Sequence, residues 1–254
     1  MHDQFDERWL ADPEVFRINQ LPAHSDHRFY ENEVVYGADM SLRLSLDGQW
    51  DFAFAENVEE MKGILRNLGI CAEAPAEGDP ASESGQAASA EGDLINMGKI
   101  QVPGCIEMQG YGQIQYINTF YPWDGLEGIR PPMVPDHNPC GVYCKDLVIP
   151  ENFMGRRLIL TFEAASAALA LYVNGRFVGY AEDSFTPSEF DVTEFAAASK
   201  AIRICAVVFK GSSASWIEDQ DFFRFSGLFR SVYLTAIPRV HVEDIRVRTD
   251  LSKD

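Results

Sequence analysis

Residues 168–181 read ALALYVNGRFVGYA, two apolar runs on either side of Asn174-Gly175. A two-residue type I′ turn needs positive φ at both central positions, which Asn and Gly tolerate best, so the stretch predicts a tight β-hairpin. Working outward, further strand-like runs lie at 142–149, 157–162, 201–209 and 229–237. Trp50, Phe52 and Phe54 alternate with Gln49, Asp51 and Ala53, which gives one apolar face at period two. With 100–102 this makes about eight strands and no alternation of helix with strand. The expected fold class is all-β, an antiparallel β-sandwich of jelly-roll type with a mostly irregular N-terminal segment.

The pattern divides the chain. Residues 1–45 lack strand periodicity and are expected to run over the surface, with Trp9, Phe16, Phe29 and Tyr30 as anchors. The sandwich takes 46–238, interrupted by an insertion at 60–98. Val58, Met61, Leu65 and Leu68 fall at helical spacing, which predicts a short amphipathic helix at the start of that interruption. Residues 72–93 hold six carboxylates and no Lys, Arg, Leu, Ile, Val, Met or aromatic residue, a composition expected to stay disordered. After Pro238, Val240, Val242, Ile245 and Val247 alternate with polar residues, so 239–254 is expected to be the first strand of a following domain.

A net charge of −18 and a pI near 4.6 argue against nucleic acid or an anionic membrane surface as partner. No run approaches the ~18 apolar residues of a membrane span, and the N-terminus does not read as a secretory signal, so a cytoplasmic location is expected. The cysteines, Cys71, Cys105, Cys140, Cys144 and Cys205, are odd in number and irregularly spaced. Cys140 and Cys144 on one strand would sit roughly 13 Å apart, too far for a disulfide, and free thiols are expected.

Two loops carry candidate chemistry. In Ser215–Arg230, SWIEDQDFFRFSGLFR, Glu218, Asp219 and Asp221 lie among Trp216, Phe222 and Phe223, with Arg224 in reach. Carboxylates among aromatics are costly to desolvate unless a cation, a metal or a hydroxyl-rich ligand pairs with them. A sugar offers hydroxyls to the carboxylates and an apolar ring face to the aromatics. The bland alternative is a solvated loop with a salt bridge to Arg224. In 115–122, QYINTFYP, Asn118 has the donors and acceptor that a sugar hydroxyl requires, though Asn also caps turns. Prolines at 122, 131, 132, 135 and 139 stiffen the region. The run 173–195, VNGRFVGYAEDSFTPSEFDVTEF, reads as architecture, with Asp183 and Ser184 suited to a turn.

Together, VNGRFVGYAEDSFTPSEFDVTEF, SWIEDQDFFRFSGLFR, YINTFYP, PPMVPDHNPCGVY and LDGQWDFAF resemble the N-terminal sugar-binding domain of family 2 glycoside hydrolases, in the bacterial β-galactosidase branch. The resemblance implies a galactose-binding-domain-like jelly roll, followed in the parent by an immunoglobulin-like domain, a TIM barrel with the catalytic Glu pair, and further β domains. It implies a retaining hydrolase of terminal β-D-galactosides and a homo-oligomeric parent. By position in the motifs, Asp221 matches an aspartate that binds sodium beside the galactose 6-hydroxyl. Asn118 matches an asparagine that reaches into the galactose subsite. Magnesium is expected in the catalytic barrel and not on these 254 residues. The chain alone is therefore expected to be inactive, with no catalytic residue of its own. The alternatives are a free-standing carbohydrate-binding module, or the same domain of a family 2 β-glucuronidase or β-mannosidase.

Overall fold

Two antiparallel sheets stack face to face in a computed structural model, which describes residues 4–30, 42–70, 97–118, 121–123, 125–126, 128–197 and 200–251. The larger has seven strands, in the order β1 (Arg17–Ile18), β9 (Arg176–Glu182), β8 (Ala168–Val173), β11 (Ala201–Phe209), β6 (Cys140–Val148), β3 (Gly48–Ala55) and β4 (Gly98–Val102). The smaller runs β10 (Ser188–Asp191), β7 (Arg157–Phe162), β13 (Val232–Ile237) and β2 (Arg43–Ser45). A two-stranded ribbon, β5 (Tyr116–Ile117) with β12 (Phe222–Phe223), stands apart from both. Two helices complete the elements, α1 (Val58–Asn67) and the short α2 (Thr193–Ala197).

The Asn174-Gly175 turn forms as its sequence requires. Both residues have positive φ, 51° and 78°, and Val173 pairs with Arg176 across it. Between the sheets, the period-two face of β3 buries Trp50 and Phe52 against Phe162, Leu171, Phe190, Val208 and Leu234. The Trp50 indole donates to the carbonyl of Leu46 at 2.9 Å, so its one polar atom is satisfied in the core.

A second apolar layer covers the outer face of the seven-stranded sheet. Asn57 caps α1 by accepting from the amide of Glu60 at 2.9 Å, and Met61 and Leu65 pack down onto Ala55, Val142 and Tyr172. Phe5 and Trp9 continue that layer over Tyr180 and Phe209. The amphipathic helix is therefore part of a core. The acidic stretch 72–93 lies outside the described residues.

Two expectations need correction. The N-terminal segment contributes strands to both sheets: β1 pairs with β9, and β2 pairs with β13. Gly179 makes the first pairing possible, since a Cβ there would lie 2.5 Å from the Ile18 carbonyl and 2.6 Å from the Phe190 ring. Trp9 is buried, but Phe16 is half exposed under the guanidinium of Arg17. Second, Cys144 and Cys205 are not free thiols. They face each other across β6 and β11 with Cα atoms 4.3 Å apart and form a disulfide. That spacing is typical of a non-hydrogen-bonded antiparallel pair, a register no reading of separate strands can supply. Cys105 and Cys140 are free, and burial pushes the Cys140 thiol up to about 12. Residues 239–251 lie outside both sheets. They run along 24–29, where His27 Nε2 meets the carbonyl of Val242 at 2.7 Å and the amide of Ser25 donates to Asp244 at 3.0 Å. Val240, Val242, Ile245 and Val247 are exposed.

Met61 is 1% exposed beneath α1. Truncation to alanine is expected to cost about 2–5 kcal/mol in chemical denaturation, as for a large core residue. A loss below about 0.5 kcal/mol would show that the outer layer is not a core.

Candidate functional site

The loop between β11 and β13 begins at an anchor. Ser212 and Ser215 form a capping box around a 3-10 turn at Ser213–Trp216. Glu182, at the end of β9 and 4% exposed, faces that turn. One of its oxygens accepts from Ser212 Oγ, Ser213 Oγ and the amide of Ala214 at 2.9–3.0 Å, and the other accepts from Tyr180 Oη at 2.6 Å. Burial raises the Glu182 carboxyl above its ordinary 4.5, and those four donors offset part of that rise. The loop closes on a second buried carboxylate. Glu107 accepts from the amide and hydroxyl of Ser226 at 2.9 and 2.8 Å and pairs with Lys210 at 2.6 Å.

Between the anchors, the acidic residues separate. Glu218 turns inward and accepts from the amide and hydroxyl of Ser184 at 2.7 and 2.5 Å; burial raises its carboxyl too. Asp219 pairs with Arg224 at 2.5 Å, and the same guanidinium donates to the carbonyl of Glu218 and lies over the Phe222 ring at 4.8 Å. The loop salt bridge thus exists, but its carboxylate is Asp219 rather than Asp221. Asp221 points outward and accepts from Tyr116 Oη at 2.8 Å.

That contact brings the two sequence-predicted residues together. Strands β5 and β12 pair so that Phe223 sits opposite Tyr116, with ring centroids 5.0 Å apart. The same register, continued by one residue, sets Asn118 across from Asp221. The bond to Asp221 holds the Tyr116 hydroxyl above the ordinary tyrosine range, so it remains a donor at neutral pH. Asn118, Tyr116, Asp221 and Phe223 are all exposed and form a small polar patch flanked by an aromatic ring.

Tyr116 was missed as a site residue, although it lies two positions before Asn118. On an extended segment that spacing puts both side chains on one face. Glu182 and Glu107 were missed as well, because nothing local in the sequence marks a carboxylate that will be buried. The stiff proline loop is held by Trp216, whose indole donates to the carbonyl of Met133 at 2.9 Å and which packs against Tyr121 and Trp123. An open cleft of about 750 Å³ is bordered by Gln115, Trp123, Asn138, Lys210, Glu218 and Phe222, and Asp221 does not line it. Asp183 and Ser184 serve the architecture, as their sequence implies. Among the described residues no three His, Cys, Asp or Glu side chains gather as a metal cluster, and no helix is long and apolar enough to cross a membrane.

A family model described as "Glycosyl hydrolases family 2, sugar binding domain" matches residues 43–238. Among curated proteins, the chain is 44% identical to a β-galactosidase of Halalkalibacterium halodurans over 96% of its length, covering 22% of that protein. It is 40% identical to the β-galactosidase of Clostridium acetobutylicum, covering 97% of the chain and 25% of the relative. A β-galactosidase large subunit of Leuconostoc lactis is also 40% identical, over 95% of the chain and 37% of the relative. The chain thus spans between 22% and 37% of the length of these relatives. Among solved structures, a β-glucuronidase of Ruminococcus gnavus superposes with a TM-score of 0.49 at 16% identity, over 78% of this chain and 29% of that one.

Removing Glu182 tests the anchor. Glu182→Ala leaves four donors without an acceptor and is expected to cost about 3 kcal/mol or more. Glu182→Gln keeps an acceptor for the loop and is expected to cost much less. Because the folded carboxyl titrates above 4.5, the native state binds more protons than the unfolded chain in the window that opens there. Wild-type stability relative to Glu182→Gln should therefore fall as pH rises through that window and then level off. Denaturant titrations of both proteins from pH 4 to 8 check the sign.

Proposed function

Since the chain belongs to glycosyl hydrolase family 2, as its sugar binding domain, we propose that it serves a β-galactosidase by supplying part of the galactoside subsite. The observation that carries this reading is the register of an exposed ribbon, held by buried carboxylates, which sets Asn118 across from Asp221, the carboxylate that accepts from the Tyr116 hydroxyl. A neutral sugar hydroxyl can donate to the carboxylate and accept from the amide. In this reading the chain has no catalytic residue of its own. The acid/base and nucleophile of a retaining mechanism sit on another part of the parent protein, in a barrel together with any magnesium.

Asp221 is also the proposed contact for a sodium ion. Its second oxygen, the Asn118 carbonyl and the phenol oxygen are hard donors of the type such a cation prefers, and they amount to part of a coordination shell. Bound there, the ion would offset the carboxylate's charge and polarise a sugar hydroxyl. A homo-oligomeric parent and a cytoplasmic location belong to the same proposal. The Cys144–Cys205 pair is compatible with a reducing compartment, because both residues are at most 1% exposed and thiol exchange needs access.

Charge favours a galactoside over a glucuronide. The loop's own Arg224 is turned away to Asp219 and a carbonyl, so Asp221 presents its charge outward. A uronate carboxylate placed there would meet a like charge.

The test pairs the 254-residue chain with the protein encoded by the whole reading frame. The long protein should hydrolyse a nitrophenyl β-galactoside and the chain alone should not; turnover by the purified chain would overturn the proposal. Asp221→Asn should lower kcat/KM of the long protein by about tenfold or more, the loss of one charged contact. The same exposed change should alter the stability of the chain by less than about 0.5 kcal/mol.

A further inference from the structure

We propose that His24 is the pH-sensitive pin of a clasp that fastens residues 239–251 to the sandwich, closed while its ring is doubly protonated and loosened when the second proton leaves. The proposal is independent of the subsite reading above. Three histidines meet where residues 24–29 lie against the 239–251 segment. The rings of His24 and His27 are 6.0 Å apart, and Phe29 has His27 at 4.9 Å and His241 at 5.6 Å.

What each ring faces decides how many protons it needs. A neutral imidazole has one N–H, and its other nitrogen is an acceptor. His24 turns Nδ1 to the carbonyl of Ser25 at 2.8 Å and Nε2 to a carboxylate oxygen of Glu189 at 2.7 Å. A carbonyl and a carboxylate both accept, so the doubly protonated ring satisfies both and a neutral ring leaves one unmet. His27 has a neutral solution. Its Nε2 donates to the Val242 carbonyl at 2.7 Å, while Nδ1 lies 2.9 Å from the Ser25 carbonyl and 3.1 Å from the Ser25 hydroxyl, which can donate to it. His241 again faces two acceptors, the Pro238 carbonyl at 2.9 Å and Glu243 at 2.8 Å. Both lie close to it along the chain, so that ring shapes the segment and the tie to the sandwich is left to His24.

The tie runs through Ser25. Glu189 belongs to β10 and also accepts from Thr161 Oγ1 at 2.9 Å, so a charged His24 pins Ser25 to the smaller sheet. Ser25 grips the segment in turn. Its amide donates to Asp244 at 3.0 Å, and its hydroxyl accepts from the amide of Ile245 at 3.0 Å. Two arginines border the same small cavity, Arg157 on β7 and Arg43 on β2. Arg157 pairs with Asp191 at 2.8 Å and Arg43 with Asp26 at 3.2 Å, while on the segment Arg246 pairs with Asp244 at 3.4 Å. The charges that favour an imidazolium at His24 are then Glu189 from the sheet and Glu243 from the segment.

The sign follows from these contacts. Burial lowers the hold of His24 on its second proton, but the Ser25 carbonyl and Glu189 outweigh it, and the ring titrates above its ordinary 6.5. Its contribution is complete below 6.5 and is lost as pH rises through the higher, closed-state value. The hydrogen bond from His241 holds Glu243 below its ordinary 4.5, and the Ser25 amide holds Asp244 below 3.8, so both carboxylates contribute fully above 4.5. The clasp is tightest between 4.5 and 6.5.

Trypsin reads the clasp, because cleavage after the exposed Arg246 needs the segment to leave Ser25. In the 254-residue chain, the cleavage rate is divided at each pH from 6 to 8.5 by that of a free peptide of residues 239–251. The ratio should rise about threefold across the range, the value of a partly exposed ion pair. His24→Gln, which cannot gain a charge, should remove most of that rise. His27→Ala should speed cleavage at every pH, since it takes away the Val242 tie. In parallel, NMR of the His24 ring should give a midpoint above 6.5 that falls in Glu189→Gln. A ratio that does not change with pH, a rise that survives His24→Gln, or a His24 midpoint at or below 6.5 would overturn the proposal. So would a His27→Ala chain cut no faster than wild type, because the segment would then not be held at this seam.

Discussion

The site depends on a carboxylate that will never see a ligand. Glu182 sits at the end of β9 with four donors around it, three of them from residues 212–214. Burying an anion is costly, and four donors, three on one oxygen and one on the other, offset part of that cost. The same set of donors makes the contact specific. Any displacement of the loop's first turn would strand a buried charge, so the turn has one place to be. Glu107 does the same at the loop's far end through Ser226 and Lys210. A segment fixed at both ends by buried anions can extend a two-residue strand into solvent and still present it in a defined register.

The quartet Glu218-Asp219-Gln220-Asp221 shows how a run of like charges divides its work. Glu218 goes inward to Ser184 and ties the loop to the segment after β9. Asp219 neutralises Arg224, whose guanidinium also covers the Phe222 ring. The two terminal nitrogens of Arg224 are thereby engaged by the Glu218 carbonyl and Asp219. Asp221 is left facing outward, with a phenol as its hydrogen-bond partner. The exposed charge is thus produced by the internal pairings, and a basic residue free to reach Asp221 would cancel it.

Much of this fold is legible in the sequence where the determinants are local. The Asn174-Gly175 turn, the alternation along β3 and the helical spacing of Met61 and Leu65 each follow from a periodicity or a dihedral preference, and each is present. What could not be read is pairing between distant segments. Arg17–Ile18 and Arg43–Ser45 are too short to show a period, and they become strands only because β9 and β13 have open edges beside them. The Cys144–Cys205 bond depends on a cross-strand register, which spacing along one strand does not reveal. In the candidate site, residue types and motifs indicated Asn118 and Asp221. The partner of Arg224 stayed open, because Asp219 and Asp221 are both within reach of it along the chain.

Tyr116 marks the boundary between those two kinds of information. Its spacing from Asn118 is local, and the period of a strand places both on one face. Its contact with Asp221 spans 105 residues and exists only because β5 and β12 pair with Phe223 opposite Tyr116. A one-residue slip in that ribbon would turn Tyr116 to the other face and separate Asn118 from Asp221. The slip is opposed from outside the ribbon. On one side, Arg224 donates its amide to the carbonyl of Gln115 at 2.7 Å, which extends the pairing by a rung. On the other, the Gln115 side chain donates to the carbonyl of Pro122 at 3.0 Å and ties the strand to the proline-stiffened loop. A site built from two exposed polar residues therefore draws its geometry from backbone register, and that register is set by anchors that lie outside the patch itself.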